Sequence, residues 1–120
     1  MKESELTSLA VRALVGAGLP HADAVDCARI LVMADMFGIH THGLSRIESY
    51  GERIRNGAIN RNPRIAVERV APSMAKVDGD DGVGPLIGLR ALEAATQLAR
   101  ETGVGIAFAR ASNHFGPISP

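Results

Sequence analysis

Apolar positions recur at helical spacing from the start of the chain: Leu6, Leu9, Ala10, Ala13, Leu14 and Ala17 follow Ser4, an N-cap candidate, and precede Gly18. That recurrence predicts an amphipathic helix over residues 5–17. Leu19-Pro20 opens a second segment from about His21 to Phe37, in which Ala24, Val25, Cys27, Ala28, Leu31, Val32, Ala34 and Met36 cover most of the circumference. A helix that is apolar nearly all round belongs in a core, and Gly38 ends it. Thr41 can cap a third helix from about Gly43 to Arg55, closed by Asn56-Gly57.

The texture changes after Asn60-Arg61-Asn62-Pro63. Arg64 to Val70 alternates, Met74 to Asp78 alternates again, and both stretches predict short strands. Gly79-Asp80-Asp81-Gly82-Val83-Gly84 reads as a turn, and Pro85 suits the first position of a helix reaching Glu101, with Gly103 as its stop. Val104 to Ala109 predicts a short buried strand. The expected fold class is therefore α/β (α+β): an N-terminal three-helix subdomain, residues 1–62, followed by the opening strands and helix of a mixed-sheet domain, residues 63–120. That sheet reads as incomplete, so a truncated second domain is expected.

Charge and composition narrow the function. Thirteen basic residues balance thirteen acidic ones in 120, which speaks against nucleic acid and against an anionic membrane surface, since both need a basic excess on one face. The longest apolar runs fall far short of the ~20 residues of a spanning helix, and the first residues do not lead into a signal-peptide core; a cytoplasmic protein is expected. Cys27 is the single cysteine and reads as a small core residue, not a nucleophile. With 3% aromatics and no Trp, there is no base-stacking platform.

Candidate chemistry concentrates in three places. If the third helix begins at Thr41 to Gly43, then His42, Arg46 and Tyr50 stack at i, i+4, i+8 along one face. A guanidinium there can grip a carboxylate through two parallel hydrogen bonds while an imidazole gives or takes a proton. Periodicity alone is equally served by a solvated face with Arg46 paired to Glu48. His40-Thr41-His42 forms an H-x-H pair, but only His21 and His114 remain as further imidazoles, so no metal is expected and His40 reads as a turn residue. Ser112-Asn113-His114-Phe115-Gly116 sits just past a predicted strand, where α/β sheets present binding loops, although a plain polar turn accounts for it too. Gly82-Val83-Gly84-Pro85-Leu86-Ile87-Gly88 has the wrong spacing for a dinucleotide fingerprint and reads as a tight turn with Gly88 allowing close helix packing.

The order of these segments resembles the malate/L-lactate dehydrogenase family, typified by sulfolactate, ureidoglycolate and diketogulonate-type oxidoreductases and unrelated to the Rossmann-fold lactate and malate dehydrogenases. The matching residues are Asp35, Gly38, Thr41, His42, Gly43, Arg46 and Tyr50; Asp78, Gly79, Gly82, Gly84 and Gly88; and Ser112 to Gly116. The resemblance spans nearly the whole chain. It implies a homodimer that moves a hydride between NAD or NADP and a small 2-hydroxy or 2-oxo acid. His42 and His114 would line the catalytic pocket, one of them as the acid/base; Arg46 would orient the substrate carboxylate; Tyr50 with Thr41 or Asn113 would add hydrogen bonds. Reduction leaves an alkoxide that needs an imidazolium of near-neutral pKa within reach. Arg46 would lower that pKa and the bound carboxylate would raise it again.

Family chains are more than twice this long, and the regions that mostly hold the cofactor lie beyond Pro120, so the sequence reads as the N-terminal part of such an enzyme, inactive alone. Pro117-Ile118-Ser119-Pro120 departs from the family's usual continuation. The rival readings are a metal-dependent hydrolase using His40 and His42, and a non-catalytic dimerisation module.

Overall fold

The computed structural model describes residues 1–117; Ile118-Ser119-Pro120, the unusual continuation, lies outside the described residues. In chain order the elements are α1 (Glu3–Ala17), α2 (His21–Met36), a 3-10 turn (His40–His42), α3 (Arg46–Arg55), β1 (Ala66–Ala71), β2 (Met74–Gly82), α4 (Gly84–Thr102) and β3 (Ile106–Ser112). The sheet is mixed: β2 is central, antiparallel to β1 and parallel to β3. Three helices followed by a mixed α/β layer is the architecture the pattern predicts.

Ser4 does not cap α1. The helix starts earlier, because the Glu5 carboxylate reaches back to accept the backbone N–H of Lys2 at 2.9 Å and so satisfies a donor that a Ser4 cap would leave open. Gly18 and Gly103 end α1 and α4 in the left-handed conformation, as read. Along α2, Ala24, Cys27, Ala28, Leu31 and Val32 lose nearly all solvent contact between α1 and α4. One cluster joins them to Leu14, Tyr50, Ile54, Ile59, Val83 and Leu86, so the first turn of α4 is packed into the helical core. Each fully buried Leu or Val contributes roughly 1.5–3 kcal/mol. Cys27 is among them, and burial, followed by Asp23 and Asp26, pushes its thiol up to about 12: an unreactive core residue, as expected.

Two expectations about the sheet need correction. The stretch Gly79–Gly82 is not a turn: β2 runs on to Gly82, and a register shift between Asp78 and Gly82 lets Asp80 and Asp81 take positive φ of 49° and 55°. Aspartate tolerates that region better than most residues, and here it is fastened. Asp80 Oδ2 accepts from Asn60 Nδ2 at 3.0 Å and from the Arg64 N–H at 2.9 Å, and Asn60 N–H donates to the Asp81 carbonyl at 2.8 Å. The second correction is β3, which starts at Ile106 and is not buried; Phe108 is 56% exposed. An apolar run predicts a buried strand only when both faces are covered. Here α4 packs on the sheet, while β1 and β3 stay largely open.

Candidate active site

Two turns far apart in sequence, one after α2 and one after β3, meet beside α3. The first follows α2. Asp35, on the last turn of that helix, accepts His40 Nδ1–H on Oδ1 at 2.9 Å and the Leu44 N–H on Oδ2 at 2.8 Å. Gly43 lies directly against this carboxyl group, in space a Cβ would occupy. Gly43 takes a non-helical backbone (φ −96°, ψ −144°) after the 3-10 turn, and α3 begins at Arg46. The expected stack of His42, Arg46 and Tyr50 along one helix is therefore wrong in its first member, and Thr41 caps nothing. Arg46 and Tyr50 do share a face of α3. His42 reaches them through the turn, which Arg46 holds by donating Nε–H to the Thr41 carbonyl at 2.6 Å. Thr41 Oγ1 lies 2.8 Å from His42 Nδ1. His40 points away; its side chain is 77% exposed.

The second turn, Asn113–Gly116, follows β3. Asn113 spends its amide on the protein: Nδ2 donates to the carbonyls of Asp81 (2.9 Å) and Gly82 (3.1 Å), and Oδ1 accepts from Arg53 Nη2 at 2.7 Å. Gly84 is the floor beneath it, since a Cβ there would overlap the carbonyls of His114 and Asn113. Gly88, read as the close-packing glycine, has only Phe115 Cβ at 4.0 Å; the tight contact belongs to Gly84, four residues earlier. Tyr50 Oη sits 3.0 Å from His114 Nδ1 and 3.1 Å from the His114 carbonyl, and the Gly116 N–H donates to Nδ1 at 3.3 Å. Nδ1 therefore accepts, which places the proton of the neutral ring on Nε2.

The turns bring His42 and His114 to a ring-centroid separation of 5.2 Å, with Tyr50 at 6.1 Å from His114. Arg46, Ser49, Tyr50, Arg53, Asn113 and His114 line one cleft of about 200 Å³. Burial, then Arg46, His42 and Arg53, hold the His114 imidazolium below its ordinary range, so the ring is neutral at pH 7. The Tyr50 phenol is pushed up, chiefly by burial, and stays a hydrogen-bond donor. Among the described residues neither Arg46 nor Arg53 has a carboxylate within 4.0 Å. The residues lining the cleft thus include two guanidiniums and no carboxylate. Arg53 is the member that the motif reading missed, although its spacing of seven from Arg46 and three from Tyr50 places it on the same helical stripe.

Among the described residues no group of three His, Cys, Asp or Glu converges as ligands. His40 and His42 turn their Nδ1 atoms to Asp35 and Thr41, and the hydrolase alternative is not favoured. In the glycine-rich stretch the space at Gly82 is filled by Pro63 and that at Gly84 by His114. A side chain has no room at either glycine.

Comparison with known proteins places this arrangement. A malate dehydrogenase of Pyrococcus abyssi is 45% identical over 114 residues, covering 95% of this chain and 32% of that protein. An L-sulfolactate dehydrogenase of Methanocaldococcus jannaschii is 35% identical over 97% of this chain and 34% of that one. The solved malate dehydrogenase of Pyrococcus horikoshii OT3 superposes with a TM-score of 0.91 at 42% identity, over 97% of this chain and 33% of its own. The chain thus spans about a third of the length of the curated relatives it matches. The family pattern described as malate/L-lactate dehydrogenase matches residues 1–120, and the chain belongs to that family.

Proposed function

We propose that this chain supplies the substrate-facing wall of an oxidoreductase that interconverts a small 2-hydroxy acid and its 2-oxo acid. The observation that carries this reading is the meeting of His42 and His114 at 5.2 Å beside Arg46, which lines the same cleft as His114. Arg46 grips the C1 carboxylate, and an imidazole holds a proton at the C2 oxygen. His114 is the better acid/base candidate. Its Nδ1 is occupied by Tyr50 and the Gly116 N–H, so Nε2 faces the reacting oxygen. With its imidazolium disfavoured, the neutral ring accepts the alcohol proton in the oxidation direction; a bound carboxylate raises its pKa for the reverse. Tyr50 and Asn113 enter as positioning residues for His114, and Thr41 as one for His42.

The hydride partner in this reading is NAD or NADP. A ureidoglycolate dehydrogenase (NAD(+)) of Escherichia coli K12 is 37% identical, and a (2R)-3-sulfolactate dehydrogenase (NADP(+)) of Chromohalobacter salexigens 38%. When bound, the nicotinamide would supply or take up the hydride. The homodimer, the boundary between residues 62 and 63, and a cytoplasmic location belong to the same proposal. Exposed Val67, Val70 and Phe108 on the outer strands offer apolar surface for further contacts, and among the described residues no helix is long and apolar enough to cross a membrane.

The test is steady-state kinetics of the full gene product, following NADH or NADPH with 2-oxo acids. His114→Ala lowers kcat on the order of 10²–10⁴-fold. His42→Ala also lowers it, and Arg46→Ala acts chiefly through a raised KM. Near-normal kinetics in both histidine variants would sink the assignment.

A further inference from the structure

Arg46 holds the nearby His42 turn through the Thr41 carbonyl, whereas Arg53 reaches across the fold to the other turn. Its Nη2 donates to Asn113 Oδ1 at 2.7 Å. The far end of that amide is already committed, because Nδ2 donates to the Asp81 carbonyl at 2.9 Å and the Gly82 carbonyl at 3.1 Å. With its nitrogen held on two carbonyls, the amide must present its oxygen to a donor, and Arg53 is that donor. The Asp81 carbonyl in turn takes the Asn60 N–H at 2.8 Å, so the acceptor side of this latch is fastened independently of α3. The segment it holds is one that alanine does not favour: β3 bends at Ala111, φ 48°, in the left-handed region, and Asn113 and His114 follow directly.

Tyr50 and Arg53 are three residues apart on α3 and therefore neighbours on its surface. One helix face thus grips two consecutive residues of the second turn, Tyr50 bonding His114 and Arg53 bonding Asn113. A single attachment leaves the turn free to pivot about it; two fix both the imidazole and the backbone that carries it. Resting on the 2-oxo acid reading above, we propose that Arg53 is a positioning residue, which through Asn113 holds the bend at Ala111 and so sets His114 Nε2 against the C2 oxygen. With this latch open, Tyr50 still holds Nδ1, but the ring shifts relative to His42 and Arg46. Displacements of about 1 Å in a reacting group cost up to about 100-fold in rate.

The experiment uses the full gene product and its Arg53→Met, Arg53→Lys, Asn113→Ala and Arg53→Met/Asn113→Ala variants. Arg53 is exposed, so its replacement leaves the core untouched. The kinetic arm follows reduction of pyruvate, 2-oxobutyrate and oxaloacetate. Arg53→Met is expected to lower kcat on the order of 10-fold on every acid the parent reduces, with KM held within about twofold, the pattern of lost alignment and not of lost binding. Arg53→Lys recovers part of the loss. In the Asn113→Ala background Arg53→Met costs nothing further, because the two residues act as one unit. The second arm needs no turnover: the Gly116 N–H donates to His114 Nδ1 at 3.3 Å, so its hydrogen exchange reports how the ring is seated. That exchange should accelerate in Arg53→Met, and Arg53→Met should add nothing to it in the Asn113→Ala background. Independent losses in the cycle, a raised KM with kcat kept, a loss that differs between acids, or Gly116 exchange unmoved by Arg53→Met each overturn the proposal. If the parent reduces none of the three acids, the oxidoreductase reading itself falls, and the exchange arm alone then decides the link from Arg53 to His114.

Discussion

The two turns that carry the histidines are held in opposite ways. The His42 turn is tied down locally: Asp35 bonds His40 and Leu44, five and nine residues on, and Arg46 bonds Thr41, five residues back. The His114 turn is tied down at long range, by Tyr50, Arg53, Asp81 and Gly82, between 31 and 64 residues away. The first turn is held by contacts within the stretch from Asp35 to Arg46. The second is placed only when α3, the bulged end of β2 and the start of α4 have assembled. One imidazole therefore sits on a locally held turn and the other on a turn placed by the tertiary fold.

Glycine substitutions give the largest expected break in that contrast. Gly84→Ala drives a Cβ into the carbonyls of His114 and Asn113, which are backbone and cannot swing aside; the cost is at least ~1–3 kcal/mol. Gly43→Ala meets only the Asp35 side chain, which can rotate away at the price of its two hydrogen bonds. Thermal melting of the two variants should show Gly84→Ala as the less stable. Equal losses would mean that both turns are equally rigid.

A smaller effect is expected from Asp35. Asp35→Ala leaves the Leu44 N–H and His40 without their acceptor and costs about 1–3 kcal/mol, whereas Asp35→Asn keeps one oxygen for Leu44 and loses less. Because the clamp is local, amide exchange should rise at Leu44 and in the 3-10 turn but not at Asn113–Gly116. Exchange spreading to the second turn would show that the two are coupled.

The smallest effect is electrostatic. Arg46→Gln removes one of the charges that disfavour the His114 imidazolium, so its NMR titration should move upward, part of the way to the ordinary 6.5, while burial, the larger cause, remains. Between the lowered native value and 6.5 the unfolded chain binds a proton that the native state refuses. Native stability accordingly falls as pH drops through that window and is unaffected by this group above it. A downward move in Arg46→Gln would contradict the cleft geometry.

The helices were legible because their signal is local: Leu6, Ala10, Ala13, Leu14 and Ala17 recur at helical spacing in α1, and Gly18 and Gly103 end helices in the conformation glycine favours. The residues of the site could also be picked out, since His42, Arg46, Tyr50 and His114 stand in a family-like order. Arg53 escaped because it belongs to no motif and counts only through what it faces. Apolar periodicity could not place the start of α3, where Gly43, packed against the Asp35 carboxyl group, takes a non-helical backbone. Nor could it show that β3 is open, because burial depends on what covers a strand and not on its own residues. Residue types and their spacing thus decided which elements form and which chemistry is carried. Contacts across 31 to 64 residues decided where His114 sits, that Asn113 serves the protein's own framework, and that two arginines share one cleft.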